Sequence, residues 1–241
     1  MEIFSGFLDT SDDNKIAFNH YKSGFKEVLI IAHGWFMTKD SEAFSKMSEE
    51  FSKKFDVICF DFRGHGKSSG VYTFGAKETK DLSSVVEYAK EMYQKIYLIG
   101  FSLGSLISIN YCAKHKNIDK LIVVSAPVLF EKIENNVFSP NAFIPTLKKF
   151  ELTRWLSIRF VSPFLKKPKP IKLIKNVDIP IYLIAGEKDP VIKSWHNEKL
   201  FKVAKNPKKQ IIIKQGRHAE DLFLEQKEIF VDECLKWLCE G

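Results

Sequence analysis

No apolar run in this chain approaches the roughly 20 residues that a membrane-spanning helix requires, so the sequence reads as one that does not insert stably into a bilayer. Cysteine is scarce. Cys59, Cys112, Cys234 and Cys239 show no close pairing, and the step between the last two fits no common zinc pattern. All four are expected as buried free thiols, and no structural metal is expected. Residues 1–12 carry three acids and lack the basic, apolar core of an export leader, which makes the cytoplasm the default location. No internal repeat or low-complexity tract is apparent.

Basic charge, by contrast, is in excess: the net charge is +7 and the pI is near 9.0. The lysines are spread along the chain and interleaved with acids, the pattern of a solvated basic surface; no nucleic-acid partner is expected. One local cluster, Lys148, Lys149, Arg154, Arg159, Lys166, Lys167 and Lys169, falls between Phe138 and Pro170. It reads first as the polar outer face of an inserted helical segment, with anionic substrates or lipid surfaces as the sharper alternative.

With 241 residues, 45% hydrophobic and 28% charged, the chain is long enough for one α/β core. Residues 3–9 and 15–21 alternate about a polar turn and predict an antiparallel hairpin. Six short apolar runs follow, at 28–32, 57–60, 96–99, 121–124, 181–185 and 210–213, as strands covered on both faces should appear. Between and after them, Leu82, Val85, Val86, Ala89 and Met92 recur at helical spacing, as do Leu222, Phe223, Ile229, Phe230, Leu235 and Leu238. Alternation of strand and helix predicts a mostly parallel sheet of about eight strands flanked by helices. The stretch 128–170 breaks this rhythm and is expected as an inserted cap on a core formed by 1–127 and 171–241.

Gly100, Phe101, Ser102, Leu103 and Gly104 form a Gly-x-Ser-x-Gly run between a predicted strand and a predicted helix over 103–114. A serine on so sharp a turn is held in a strained conformation with its hydroxyl clear of the sheet, while the helix behind it presents free N–H groups. In a parallel sheet, functional groups gather beyond the carboxyl ends of the strands. There stand His33 and Gly34, Ser102, the turn Gly186-Glu187-Lys188-Asp189, and Gly216-Arg217-His218, in the order Ser, Asp, His.

On these residues, together with the run from Asp61 through Arg63, Gly64, His65 and Gly66 to Ser68, the sequence resembles the α/β-hydrolases. The likeness is to the serine-hydrolase branch that includes carboxylesterases and monoacylglycerol lipases. It implies an α/β-hydrolase fold with an inserted cap. Chemistry sets the roles: a serine hydroxyl needs a general base, and the base needs a carboxylate to fix its tautomer. Ser102 is the expected nucleophile, His218 the base and Asp189 the carboxylate, with Glu187 and Asp221 as rival acids. The resemblance further implies an oxyanion hole from the backbone N–H groups of Trp35 and Leu103. Phe36 and Phe101 are candidate pocket residues. His33 and His65 are expected to be structural, His20, His115 and His196 have no evident partners, and Glu78 reads as a charge matched to a helix dipole.

The expected function is a serine hydrolase cleaving small to medium carboxylic esters through an acyl-enzyme, with no cofactor. Thioesters and small amides or peptides form the alternative substrate class, and a catalytically inactive ligand-binding module the alternative of another kind. An ester or thioester is the expected small-molecule partner.

Overall fold

In the computed structural model, which describes residues 1–133, 158–159, 165 and 167–239, eight strands form a single sheet in the order β1-β2-β4-β3-β5-β6-β7-β8. They are β1 (Glu2–Asp9), β2 (Lys15–Lys22), β3 (Glu27–Ala32), β4 (Asp56–Phe60), β5 (Lys95–Phe101), β6 (Lys120–Val124), β7 (Ile181–Gly186) and β8 (Lys208–Ile213). The predicted hairpin is present as β1 and β2, and β2 continues antiparallel onto β4. Every later pairing is parallel. The expected α/β-hydrolase fold is therefore the observed one.

Seven α-helices occur among the described residues: α1 (Glu42–Phe51), α2 (Thr79–Lys90), α3 (Leu103–Cys112), α4 (Pro170–Leu173), α5 (Trp195–Val203), α6 (Asp221–Glu225) and α7 (Lys227–Cys239). None is long and apolar enough to cross a membrane. The continuous apolar runs have a direct cause. Ile30, Ile58, Leu98, Leu121 and Leu183 point into one core with α2 and α3, while Ile31, Cys59, Ile99, Ile122 and Ile184 point into a second with α1, α6 and α7. Each strand interior thus needs apolar side chains at successive positions. Helix α3 is buried at all ten positions and carries no charge, because it is enclosed by the sheet, α2 and α4.

Several expectations need correction. Strand β8 closes the sheet edge and is half-buried over most of its length, so its apolar run is not covered on both faces. Cys59, Cys112 and Cys234 are buried free thiols, whereas Cys239 is exposed where α7 reaches the end of its packed length. Met92 lies beyond α2 and is exposed, and Ile229 faces outward from α7. Of the expected cap, residues 134–157 lie outside the described residues, and with them Lys148, Lys149 and Arg154, as does Lys166.

The turn after β4 is fixed by buried charge. Arg63 is 3% exposed at its side chain and donates from Nε and Nη2 to Asp81, at 2.8 and 2.6 Å, and from Nη1 and Nη2 to Asp12, at 2.8 and 2.9 Å. The backbone N–H of Arg63 also donates to Asp81, at 2.9 Å. One guanidinium therefore pins the start of the glycine turn to α2 and to the hairpin.

Candidate active site

The carboxyl ends of β3, β5, β6, β7 and β8 lie together along one side of the sheet, and the loops after β3, β5, β7 and β8 carry the candidate residues. At the end of β5 the chain turns sharply. Ser102 has φ 51° and ψ −109°, left-handed backbone that a residue with a β-carbon rarely adopts. Its N–H is held by the Val124 carbonyl at 2.8 Å. Packing explains both flanking glycines. A β-carbon on Gly100 would stand 2.6 Å from Ser108 Oγ, and one on Gly104 would overlap the carbonyl oxygens of Ala32 and His33. Helix α3 can approach β3 and β5 this closely only because both positions lack side chains.

The loop after β3 comes up against the turn: a β-carbon on Gly34 would be 3.4 Å from Ser102 Cβ. Two buried groups hold that loop in place. His33 donates from Nδ1 to the Gly34 carbonyl at 2.6 Å and accepts the Phe62 N–H on Nε2 at 3.1 Å, which fixes its tautomer. Asp61 accepts the Lys39 N–H at 2.7 Å and the Lys67 N–H at 2.9 Å, joining the loop to the glycine turn. Burial pushes the Asp61 carboxyl up to about 6, against the pull of nearby Lys39.

The turn after β7 carries Asp189, whose side chain is fully buried. Its Oδ1 accepts the N–H groups of Val191 and Ile192, both at 2.8 Å, and its Oδ2 lies 2.7 Å from His218 Nδ1. On the other side of the ring, His218 Nε2 lies 3.0 Å from Ser102 Oγ. A β-carbon on Gly186 would overlap the carbonyl oxygens of Gly216 and Arg217, so this glycine lets the histidine loop reach the acid turn. The rival acids are engaged elsewhere. Glu187 accepts the Gln215 N–H at 3.0 Å, and Asp221 stands 3.8 Å from Arg217. Ser102, His218 and Asp189 thus form one continuous hydrogen-bonded line from three separate loops, a geometry suited to withdrawing a proton from a serine hydroxyl.

Burial alone would lower the His218 pKa, but the charge and hydrogen bond of Asp189, helped by Glu220 and Asp221, outweigh it and raise the pKa above 6.5. The sign gives a first prediction. A histidine serving as general base must be neutral, so in that role His218 gives a kcat/KM for an activated ester that rises with pH through an apparent pKa above 6.5. A pH–rate profile that is flat down to pH 4.5 would contradict this assignment.

Trp35 and Phe36 are half-buried and meet edge to face at 4.9 Å, with Phe36 at φ 66°. Phe101 is different. Its side chain is fully buried between Phe44 and Phe230 in the core behind the sheet, which removes it from the candidate pocket. Leu103 opens α3, where first-turn N–H groups have no intrahelical acceptor. Glu78 stands at the N-cap of α2, as expected, but is fully buried and accepts hydrogen bonds from Thr73, Gly75 and Lys77, so it also organises the loop before the helix.

The remaining histidines have structural partners. His20 contacts the hydroxyls of Tyr88 and Tyr93 at 3.1 and 2.6 Å, and burial, with nearby Lys22, pushes its pKa down to about 4. His65 Nδ1 lies 3.2 Å from the Arg63 carbonyl, His115 stacks on Tyr111, and His196 accepts the Val128 N–H. Of the basic cluster, Arg159 donates to the carbonyls of Ser68 and Gly70 and exchanges backbone hydrogen bonds with Gly64 and Tyr72. Lys167 lies over the rings of Phe130 and Phe74, at 4.7 and 5.6 Å.

The fold defines a class, and comparison with known proteins agrees with it. The alpha/beta hydrolase fold family matches residues 27–154, more than half of the chain, and the chain belongs to that family. It is similar to the esterase Pf2001 of Pyrococcus furiosus, with 25% identity and a TM-score of 0.76 over 98% of this chain and 92% of that one. It is also similar to the probable lysophospholipase L2 of Haemophilus influenzae, 22% identical over 86% of this chain and 83% of that protein. The uncharacterised protein YfhR of Escherichia coli K12 is 26% identical over 74% of this chain; the match spans 61% of YfhR.

Proposed function

We propose that this chain is a serine hydrolase that cleaves carboxylic esters through an acyl-enzyme. The observation that carries the reading is the line Asp189–His218–Ser102, at 2.7 and 3.0 Å, ending on a serine in strained backbone. In the proposed reaction Ser102 Oγ attacks the ester carbonyl as its proton passes to His218 Nε2. The imidazolium so formed is stabilised by Asp189. Charge gathering on the carbonyl oxygen is met by the backbone N–H groups of Leu103 and Trp35. His218 then protonates the leaving alcohol, and in the second half takes a proton from water as it attacks the acyl carbon. As the intermediate so formed collapses, His218 returns the proton to Ser102 Oγ, the carboxylic acid leaves, and both side chains regain their starting states.

Substrate class follows from the carboxyl edge of the sheet. Half-buried aromatics stand on the loops there: Trp35 and Phe36 after β3, Phe130 after β6 and Trp195 at the start of α5 after β7. Phe74 lies 5.9 Å from Phe130, ring to ring. Half-buried aromatic side chains on the loops beside Ser102 favour an apolar acyl or aryl group. The names of the esterase Pf2001 and the probable lysophospholipase L2 are in keeping with an ester substrate.

A matched panel tests this. Esters of increasing acyl length should give a kcat/KM that climbs and then falls, and each ester should exceed its thioester and amide counterparts. No chain-length preference would argue against an apolar pocket, and faster turnover of the thioester would move the assignment to a thioesterase.

A further inference from the structure

Ser125 follows β6 and stands between the nucleophile strand and the acid strand. Its N–H donates to the Ile184 carbonyl of β7 at 2.9 Å, while on the other side the Ser102 N–H donates to the carbonyl of its neighbour Val124. Ser125 is 1% exposed and has φ 50°. A serine in left-handed backbone, where glycine would sit without strain, calls for a reason found in its side chain. The reason is directly above it. Ser125 Oγ accepts the N–H of Ala219 at 3.1 Å, and Ala219, fully buried with φ 49°, is the residue immediately after His218.

His218 is therefore gripped at two places. Asp189 orients its ring at Nδ1, and on its carboxyl side the backbone is bound to Ser125 through Ala219. The His218 carbonyl meanwhile accepts the Asp221 N–H at 2.9 Å, which starts the turn into α6. Without Ser125 Oγ, the Ala219 N–H would be a buried donor with no acceptor at this point, and the loop could relieve that only by moving. Such movement carries His218 Nε2 away from Ser102 Oγ. A hydroxyl suits this position, because serine is the smallest residue that puts an acceptor one bond beyond Cβ in so confined a space.

We propose that Ser125 is a positioning residue that sets the height of the His218 loop over Ser102, acting through the Ala219 amide and touching no substrate atom. The inference rests on the reading of Ser102, His218 and Asp189 given above. Mispositioning a catalytic group by about 1 Å typically costs about 10–100-fold in rate. The loss should fall on kcat, because substrate binding is not what Ser125 supports.

The experiment compares the full chain with Ser125→Ala and Ser125→Gly. Glycine removes the acceptor but relaxes the left-handed backbone, so this variant separates positioning from stability. Two signals are read by NMR whether or not an ester is turned over: hydrogen exchange of the Ala219 amide, and the downfield proton at His218 Nδ1. Turnover of an activated ester is measured beside them. Both variants should show faster exchange at Ala219 and a shifted or broadened imidazole proton. They should show kcat lower by about 10–100-fold, with KM within about twofold and with the melting temperature of Ser125→Gly above that of Ser125→Ala. Unchanged exchange and an unchanged imidazole signal in Ser125→Gly would overturn the proposal, and so would an unchanged kcat in an active enzyme. If the unaltered chain turns over no ester, the functional reading fails, and the two NMR signals still decide the role of Ser125.

Discussion

Replacing Ser102 by alanine is expected to lower kcat by about five to six orders of magnitude, the loss typical when the nucleophile of such a line is removed, while the fold is retained. The reasoning is chemical. Without Oγ no acyl-enzyme forms, and what remains is whatever the oxyanion donors and binding contribute to attack by water. Ser102→Gly should be equally inactive and more stable. At φ 51° and ψ −109° the serine backbone stores strain of order 1–3 kcal/mol, which glycine releases, offset in part by the greater freedom glycine gives the unfolded chain. A net gain of about 1 kcal/mol, or about 2–4 °C in Tm for a domain of this size, is the expected result. Thermal melts of the two variants beside the unaltered chain check it; a Ser102→Gly variant less stable than Ser102→Ala would show that the turn is not strained.

Removing the guanidinium beneath the glycine turn should produce the largest change in stability. Arg63→Met leaves the Asp81 carboxylate, fully buried at its side chain, without its charged partner. Breaking a buried pair from one side costs about 3–5 kcal/mol, because the remaining charge has lost its water and keeps only the residue-63 backbone N–H of the donors that Arg63 supplied. Asp12 is less affected, being 22% exposed at its side chain with Lys80 still 3.3 Å away. The double variant Arg63→Met, Asp81→Leu should recover much of the loss, since no orphaned charge remains. Urea unfolding of the single and double variants measures the coupling. Equal destabilisation in both would mean that the pair acts only through packing.

How far the chain could be read before folding varies with the kind of signal. Strands covered on both faces announce themselves as runs such as 28–32 and 121–124, the hairpin as alternation at 3–9 and 15–21, and the edge strand β8 as an apolar run at 210–213 despite its half-buried setting. The members of the hydrogen-bonded line were legible too, because Asp189 and His218 follow predicted strands and chemistry restricts which residue types can serve in the proposed roles. Side-chain direction was not. Phe101 adjoins Ser102 in sequence, yet strand alternation sends it behind the sheet against Phe44 and Phe230. Glu78 was legible as a charge at a helix start, but not as the acceptor for the loop that folds back over it and supplies it with donors. Ser125 left no signal at all, for its partner Ala219 is 94 residues away and binds through a backbone amide. Contacts made by main-chain groups across the sheet edge carry no residue-type signature.

Everything proposed for the site depends on Ser102 being an activated nucleophile. Treating the intact chain with a fluorophosphonate and weighing the product by mass spectrometry, with Ser102→Ala alongside, decides this without knowledge of the natural substrate. A single adduct on Ser102 that is absent from the variant is the expected result. An unmodified chain, under conditions where a control serine hydrolase reacts fully, or an adduct that persists in Ser102→Ala, would contradict it.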